Sequence, residues 1–420
     1  MSKIGSGRMN DIGMNQEYIV EDINLALGGY EKISWVERWM SVLNGLADRF
    51  AAEGTFSGKR IAICIHLEAK TAYLALVIQR IGAEVWITSS NPTSAKDDVC
   101  AALAKKGIHV YARHDATSEE YETYIEAITT CRPHAIVDDG GDVCEYLGSH
   151  PEFATDLIGI CEETTTGVNR LREKQERGEL AYPALAINDA RSKFLFDNRH
   201  GTGQSTWTTI THLTNLNVVG KTVVIIGFGW VGRGVAQRAA GLGAEVIVTE
   251  IDPWKAWEAR MEGYRVMCLA SAAPLGDFFV TCTGVKQVIR AEHLEVMKDG
   301  ALLSNAGHFG YEIDVNALEK MAGSKQRVRT DVDEYTLVDG RRLYLLAGGN
   351  IINIAGGLGH PVEIMDMSFS LQLASLHYLL STPNLKPGVH AVPKSIDELI
   401  VREKMAAEGF SIDDDPGRMK

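Results

Sequence analysis

The chain lacks the features that would place it in a membrane, a secretory pathway or a nucleic-acid complex. No stretch of about 18 apolar residues occurs, so no membrane span is predicted. Residues 1–16 are polar and Gly-rich without an apolar core, so no signal peptide is predicted and the cytoplasm is the expected location. The 7 cysteines are odd in number and contain no CxxC pair. That pattern argues against a zinc site or a disulfide framework and for a reducing compartment. Cations are in the minority, 42 Lys and Arg against 55 Asp and Glu, for a net charge of −13. Such a surface disfavours nucleic acid and anionic membranes but leaves room for small anionic ligands held by local geometry. Internal repeats and low-complexity blocks are also missing.

What is present is a 420-residue chain with 45% hydrophobic residues, enough for two or three domains of roughly 100–200 residues each. Apolar runs alternate with helical patterns: Arg60 to Ile65, a helical stretch Thr71 to Arg80, then Ala83 to Thr88. This β-α-β rhythm predicts an α/β protein with two Rossmann-like, doubly wound parallel sheets. The expected units are an α/β domain over 1–190 and a dinucleotide-binding domain over 204–358. C-terminal helices over 361–409, including Ile364 to Leu380, would return to the first domain, and 410–420 would form a short polar tail.

The sharpest local signal is GFGWVG at 227–232. It follows the apolar run Lys221 to Ile226 and opens a helical stretch. In such a loop Gly227 permits the tight turn, Gly229 lets the backbone approach a pyrophosphate, and Gly232 allows close helix–strand packing. The amides around Val231 at the helix start supply donors for the phosphates. Glu250 ends the next strand, where a carboxylate binds a ribose 2′-OH and repels a 2′-phosphate, so the predicted cofactor is NAD rather than NADP. Two other segments are rich in chemistry. EETTTG at 162–167 reads as a helix-capping cluster or a ligand site, and Lys193 to Gly203 as a polar interdomain loop or a catalytic one.

Taken in order along the chain, these segments resemble the adenosylhomocysteinase family. They are His66 in CIHLEAKTA, DDGGD at 138–142, EETTTG, Lys193 with Phe196-Asp197-Asn198, GFGWVG, Asn305-Ala306-Gly307-His308-Phe309 and Gly359-His360-Pro361. The similarity spans roughly 20–405, and HLEAKTA, DNRHGTGQSTW and GHPVEIMDMSF resemble its archaeal and thermophile-type branch. The resemblance implies an enzyme that oxidises a nucleoside at the ribose 3′ carbon with bound NAD. It then expels the 5′ substituent, adds water and reduces the ketone again.

Roles carried over by the same resemblance are as follows. Lys193, its pKa lowered by burial and oriented by Asp197, would take the 3′-OH proton, with Glu163 on the ribose hydroxyls. His66, Asp139 and His308 would handle protons at C4′ and C5′. Thr164, Thr165, Thr166, Asn198, Thr283, Asn305 and Asn353 would contact the cofactor. Phe309 and His360 would form a gate that excludes water, with Met365 packed near the base. No metal is implied, and a homo-oligomer is.

Glu68 and Lys70 stand where the family pattern has a Thr and a Glu that reads the adenine amino group. Lys70 is a donor and suits a carbonyl, as in a 6-oxo purine. Thr202 replaces a family Cys, Gly310 replaces an Asp, and the family's C-terminal NAD-clamping tail is not recognisable. The expected reaction is hydrolysis of S-adenosyl-L-homocysteine or its inosyl analogue. The alternative is a nucleoside dehydratase that expels water by the same redox cycle.

Overall fold

The structure, a computed structural model, describes residues 17–308 and 310–413. Two sheets organise it. The first contains β1 (Arg60–Cys64), β2 (Glu84–Thr88), β3 (His109–Val110), β4 (Ala135–Asp138), β5 (Gly159–Glu162) and β6 (Pro183–Ala186). The second contains β7 (Thr222–Ile226), β8 (Glu245–Thr249), β9 (Arg265–Val266), β10 (Phe278–Thr281), β11 (Ala301–Asn305), β12 (Ala322–Arg329), β13 (Val332–Leu337) and β14 (Arg342–Leu346). A last strand, β15 (Gly388–Ala391), rejoins the first sheet beside β6.

The first sheet runs β15-β6-β5-β4-β1-β2-β3 and is parallel throughout. Its central strands are apolar on both faces, as burial between two helix layers requires. Ile61, Ala62, Ile63 and Cys64 of β1 are all fully buried. The second sheet runs β12-β13-β14-β11-β10-β7-β8-β9. From β14 to β9 it is parallel, and Val223, Val224 and Ile225 at its centre are fully buried. Each such side chain contributes about 1.5–3 kcal/mol.

The α/β class predicted from the sequence is therefore the one observed, with two additions. The second sheet ends in an antiparallel hairpin, β12–β13, with β13 also antiparallel to β14. β12, with the sequence AGSKQRVR, is almost wholly exposed, and its Lys and Arg side chains blunt a sheet edge. The C-terminal part holds a strand as well as helices. The helix Val362–Ser381 crosses back and buries Met365, Phe369, Leu373 and Leu376 in the core of the first sheet, and β15 follows it. No helix among the described residues is long and apolar enough to cross a membrane.

Both sheets have a topological switch point, where successive strands leave in opposite directions. In the first it lies between β1 and β4, in the second between β7 and β10. Ligands in open parallel sheets bind at the carboxyl ends of the strands at such points. His66 follows β1, Asp139 follows β4, Gly227 follows β7 and Thr283 follows β10.

Candidate active site

A cavity of about 1400 Å³ opens between the carboxyl ends of the two sheets. This exceeds the usual room for one small ligand and suits a dinucleotide beside a nucleoside. Every sequence-derived candidate lines it except Gly232, Asn305 and Asn353, while Phe309 lies outside the described residues.

At one end sits an imidazole–carboxylate cluster. His66 Nε2 lies 3.6 Å from Asp139 Oδ2, and His308 Nδ1 lies 4.0 Å from Asp139 Oδ1. The two rings are 5.7 Å apart between centroids. Ser94, which the sequence did not single out, orients the first of them. Its hydroxyl gives its proton to the Asn91 carbonyl at 2.6 Å and meets His66 Nδ1 at 2.8 Å. Ser94 is thus the acceptor, Nδ1 carries the imidazole proton, and Nε2 presents a lone pair. Burial lowers the His66 pKa to about 4, against the opposing pull of Asp139, so the ring is neutral at pH 7. Gly140 makes the close approach possible. Its φ is +117°, and a Cβ there would stand 2.9 Å from His308 Nε2.

Facing this cluster is a buried ion group. Lys193 and Asp197 lie on a π-helical segment, Lys193–Gly201, a form frequent at functional sites. Lys193 Nζ contacts Asp197 and stands 2.6 Å from Glu163 Oε1. Asp197 also binds His360 Nδ1 and accepts from Ser368 Oγ at 2.7 Å.

The lysine corrects the sequence reading. Burial alone would lower its pKa, but Asp197 and then Glu163 outweigh burial and raise it above its ordinary value. Lys193 is a firm ammonium here, because the group holds two carboxylates where the sequence argument weighed burial and one orienting acid. Asp197 is opposed by burial yet held well below the usual carboxylate range by Lys193 and His360. Glu163 moves the other way, raised by burial in spite of Lys193.

The glycine loop has the geometry its sequence predicts. Gly227 adopts φ +96°, and a Cβ at Gly232 would strike the Gly227 carbonyl at 2.0 Å. At Gly229 nothing lies within 4 Å of a Cβ position, so the backbone faces open cavity at the start of the helix Trp230–Gly241. Glu250 ties this loop to the end of β8: Oε2 accepts from Phe228 N at 2.7 Å, and Oε1 accepts from Ile251 N and Asp252 N. These residues fit NAD. Two polar groups near the other end, half-buried Thr164 and buried Asn353, also suit a ligand. Thr164 occupies the N-cap of the helix Thr165–Glu176 without using its side chain as a cap. Asn353 donates to Ser205, while its Oδ1 is buried without a partner.

Several supporting residues escaped the sequence reading. Asn188 Oδ1 accepts from both Thr165 and Asn198. Buried Glu312 accepts from the Thr283 amide and hydroxyl and from Gly284 N, fixing the turn after β10. At the base end, Lys70 Nζ donates to Glu68 Oε2 at 2.6 Å and to the Leu358 carbonyl at 2.7 Å. His360 engages both ring nitrogens, on Asp197 and on Thr202 Oγ1. Asn188 and Glu312 lie outside the motifs of the residues they support.

Groups displaced this far from their usual protonation, gathered around one dinucleotide loop, serve an enzyme, and the class is that of NAD-dependent enzymes with a two-sheet cleft. The family follows from comparison with known proteins. Residues 198–359 match the family described as "S-adenosyl-L-homocysteine hydrolase, NAD binding domain", and residues 17–150 match "S-adenosyl-L-homocysteine hydrolase". The chain is 49% identical to the adenosylhomocysteinase of Thermococcus kodakarensis over 95% of each chain. It is 48% identical to the S-inosyl-L-homocysteine hydrolase of Methanocaldococcus jannaschii, over 94% of this chain and 96% of that one. Among solved structures it is similar in fold to a dipicolinate synthase polypeptide from Bacillus halodurans. That likeness has a TM-score of 0.50 at 15% identity, covering 78% of this chain and 99% of the other. The chain belongs to the S-adenosyl-L-homocysteine hydrolase family.

Proposed function

We propose that this protein hydrolyses an S-nucleosidyl-homocysteine, S-adenosyl- or S-inosyl-L-homocysteine, to the nucleoside and homocysteine. The observation that carries this is the placement of two buried clusters across one cavity: Lys193–Glu163–Asp197 on one side and His66–Asp139–His308 on the other. Gly227, Gly229 and Glu250 would hold NAD, which would supply a reversible hydride acceptor for the ribose 3′ carbon.

The chain's own groups do the proton work. Lys193, fully charged, donates a hydrogen bond to the 3′ oxygen. The hydroxyl proton passes into its ion group, where Glu163 is the member with raised proton affinity. Oxidation at C3′ acidifies the C4′ proton, which the neutral His66 within its cluster is suited to remove. Asp139 and His308 stand beside it to return a proton to the leaving sulfur and to orient the added water. His360, bound to Asp197 and Thr202, covers the ion group and keeps water from it.

The relatives named above are hydrolases, which supports hydrolysis over the dehydratase alternative. Single-turnover absorbance at the NADH band, with free thiol followed in parallel, tests the reading. Transient reduction with thiol release is expected, and reduction without thiol release would refute it.

The nucleobase is read by the pair Glu68–Lys70. Lys70 has three donors and spends two, leaving one for a 6-oxo group. The other oxygen of Glu68 could accept from a 6-amino group. Lys70→Met should therefore lose kcat/KM selectively on the inosyl substrate; equal losses on both would refute this. The protein is further expected to act in the cytoplasm as a homo-oligomer.

A further inference from the structure

Two carboxyls beneath the site take no part in the chemistry above. Asp138 ends β4 and Glu162 ends β5, and the two are partners in register across the parallel pair, so their side chains share a face. Both are fully buried. Their hydrogen bonds divide unequally. Asp138 spends one oxygen on Asp139 N at 3.0 Å and the other on Cys144 N at 3.2 Å. Glu162 spends Oε1 alone on both Gly140 N and Thr164 N, each at 3.0 Å. Its Oε2 is buried with no partner. The nearby cations are committed elsewhere, Arg170 to the Gly140 carbonyl and Asp142, and Lys174 to Glu145.

We propose that Asp138 and Glu162 form a one-proton pair, with the proton on Glu162 Oε2 and the charge on Asp138, and that this pair positions Asp139 and Glu163 on the rim of the cavity. Asp138 uses both oxygens as acceptors, which is the pattern of an anion. Glu162 leaves one buried oxygen without a partner, which is where a hydroxyl belongs. Two adjacent carboxylates without a cation do not both stay charged in a buried site. Burial and then Asp142 raise the proton affinity of Asp138, and burial and then Asp138 raise that of Glu162 well above the usual carboxylate range, so the pair holds a proton that isolated carboxylates would lose.

The mechanical consequence lies in the backbone. The pair grips the amides of 139, 140 and 164, and Glu163 N bonds the Asp138 carbonyl at 2.9 Å. It thereby sets the loops bearing Asp139 and Glu163 against each other. Gly167 is required for the same reason, since a Cβ there would lie 2.1 Å from Glu162 Cδ. Asp138 and Glu162 are positioning residues, and this inference rests on the hydrolase reading only for its kinetic arm.

The test compares Glu162→Gln with Asp138→Asn in the NAD-loaded protein. Glutamine keeps the accepting oxygen and offers an N–H to Asp138, so Glu162→Gln should lose less than about fivefold in kcat and melt like the parent. Asparagine has one accepting oxygen for two amides, and the displaced loop should cost Asp138→Asn roughly 100-fold. Infrared spectroscopy supplies a readout independent of turnover. At pH 7 a carboxylic-acid carbonyl band should be present, shift with isotope-labelled glutamate and vanish in Glu162→Gln. A carbonyl band undiminished in Glu162→Gln relative to the parent, a parent band that shifts only with labelled aspartate, or an Asp138→Asn enzyme more active than Glu162→Gln would overturn the proposal. Should no thioether be turned over at all, the hydrolase reading fails while the infrared result still decides the pair.

Discussion

Replacing Lys193 with alanine removes the ammonium from a buried group that holds Asp197 and Glu163. Breaking a buried ion pair by deleting one partner costs about 3–5 kcal/mol, because the remaining charge is left uncompensated. The variant has an escape: Glu163, already raised in pKa, can take up a proton. The sign of the pH dependence follows. In the parent, Lys193 is raised above its unfolded value, so its stabilisation is complete below that value and lost only at strongly alkaline pH. In Lys193→Ala, Glu163 binds its proton more tightly folded than unfolded. Stability is then best below the ordinary glutamate value of about 4.3 and falls as pH rises towards the folded value. The deficit should be small near pH 5 and grow by up to about 1.4 kcal/mol per pH unit towards the full cost near pH 8. Melting curves of both proteins across that range, with NAD present, measure it. NAD binding should persist while nucleoside oxidation disappears. A deficit that does not change with pH, or unchanged turnover, would refute the reasoning.

Gly140→Ala forces a side chain into φ +117° against the His308 ring, and turnover should fall roughly 100-fold with NAD affinity unaltered; parallel kinetics and cofactor titration check both. Glu250→Ala releases the Phe228 amide of the glycine loop and the amides of Ile251 and Asp252, so calorimetry should show NAD binding weakened by about 1.5–3 kcal/mol. With His66 at about 4, the neutral base persists well into acid, and kcat/KM should stay level between pH 7 and pH 5.5. An acid limb near pH 6.5 would remove His66 from the role of base.

The sequence made the local devices legible. The glycine loop is six consecutive residues whose backbone demands are independent of the rest of the chain, and Glu250 follows at the end of the neighbouring strand. Lys193 and Asp197 were legible as a cluster for the same reason, though the motif that carried them gave no sign of the π-helical turn. His66 and Asp139 stand at strand ends beside a switch point, but only the family resemblance distinguished them from other polar strand-end residues. What stayed hidden is what arrives from far along the chain. Ser94 fixes the tautomer of His66 from 28 residues away, and Ser368 reaches Asp197 from 171 away. The lysine's protonation was misread because the second carboxylate, Glu163, comes from a different strand end. The exposed edge strand β12 was missed because it buries too little to announce itself as an apolar run.

The chain crosses between the two sheets twice, once near Lys193–Gly201 and once near Ile352–Ala355. The crossings lie side by side: a Cβ at Gly357 would meet Thr209 Oγ1 at 2.3 Å, and one at Gly201 would meet the His360 ring at 3.0 Å. A body fastened at two neighbouring points behaves like a door on two pins and swings about the line through both. Lys193, Asp197 and His360 sit on that line rather than on the door's outer edge. Swinging the two sheets apart would widen the mouth of the cleft far more than it stirs the ion group, so reagents could come and go while the charges that act on them keep their places.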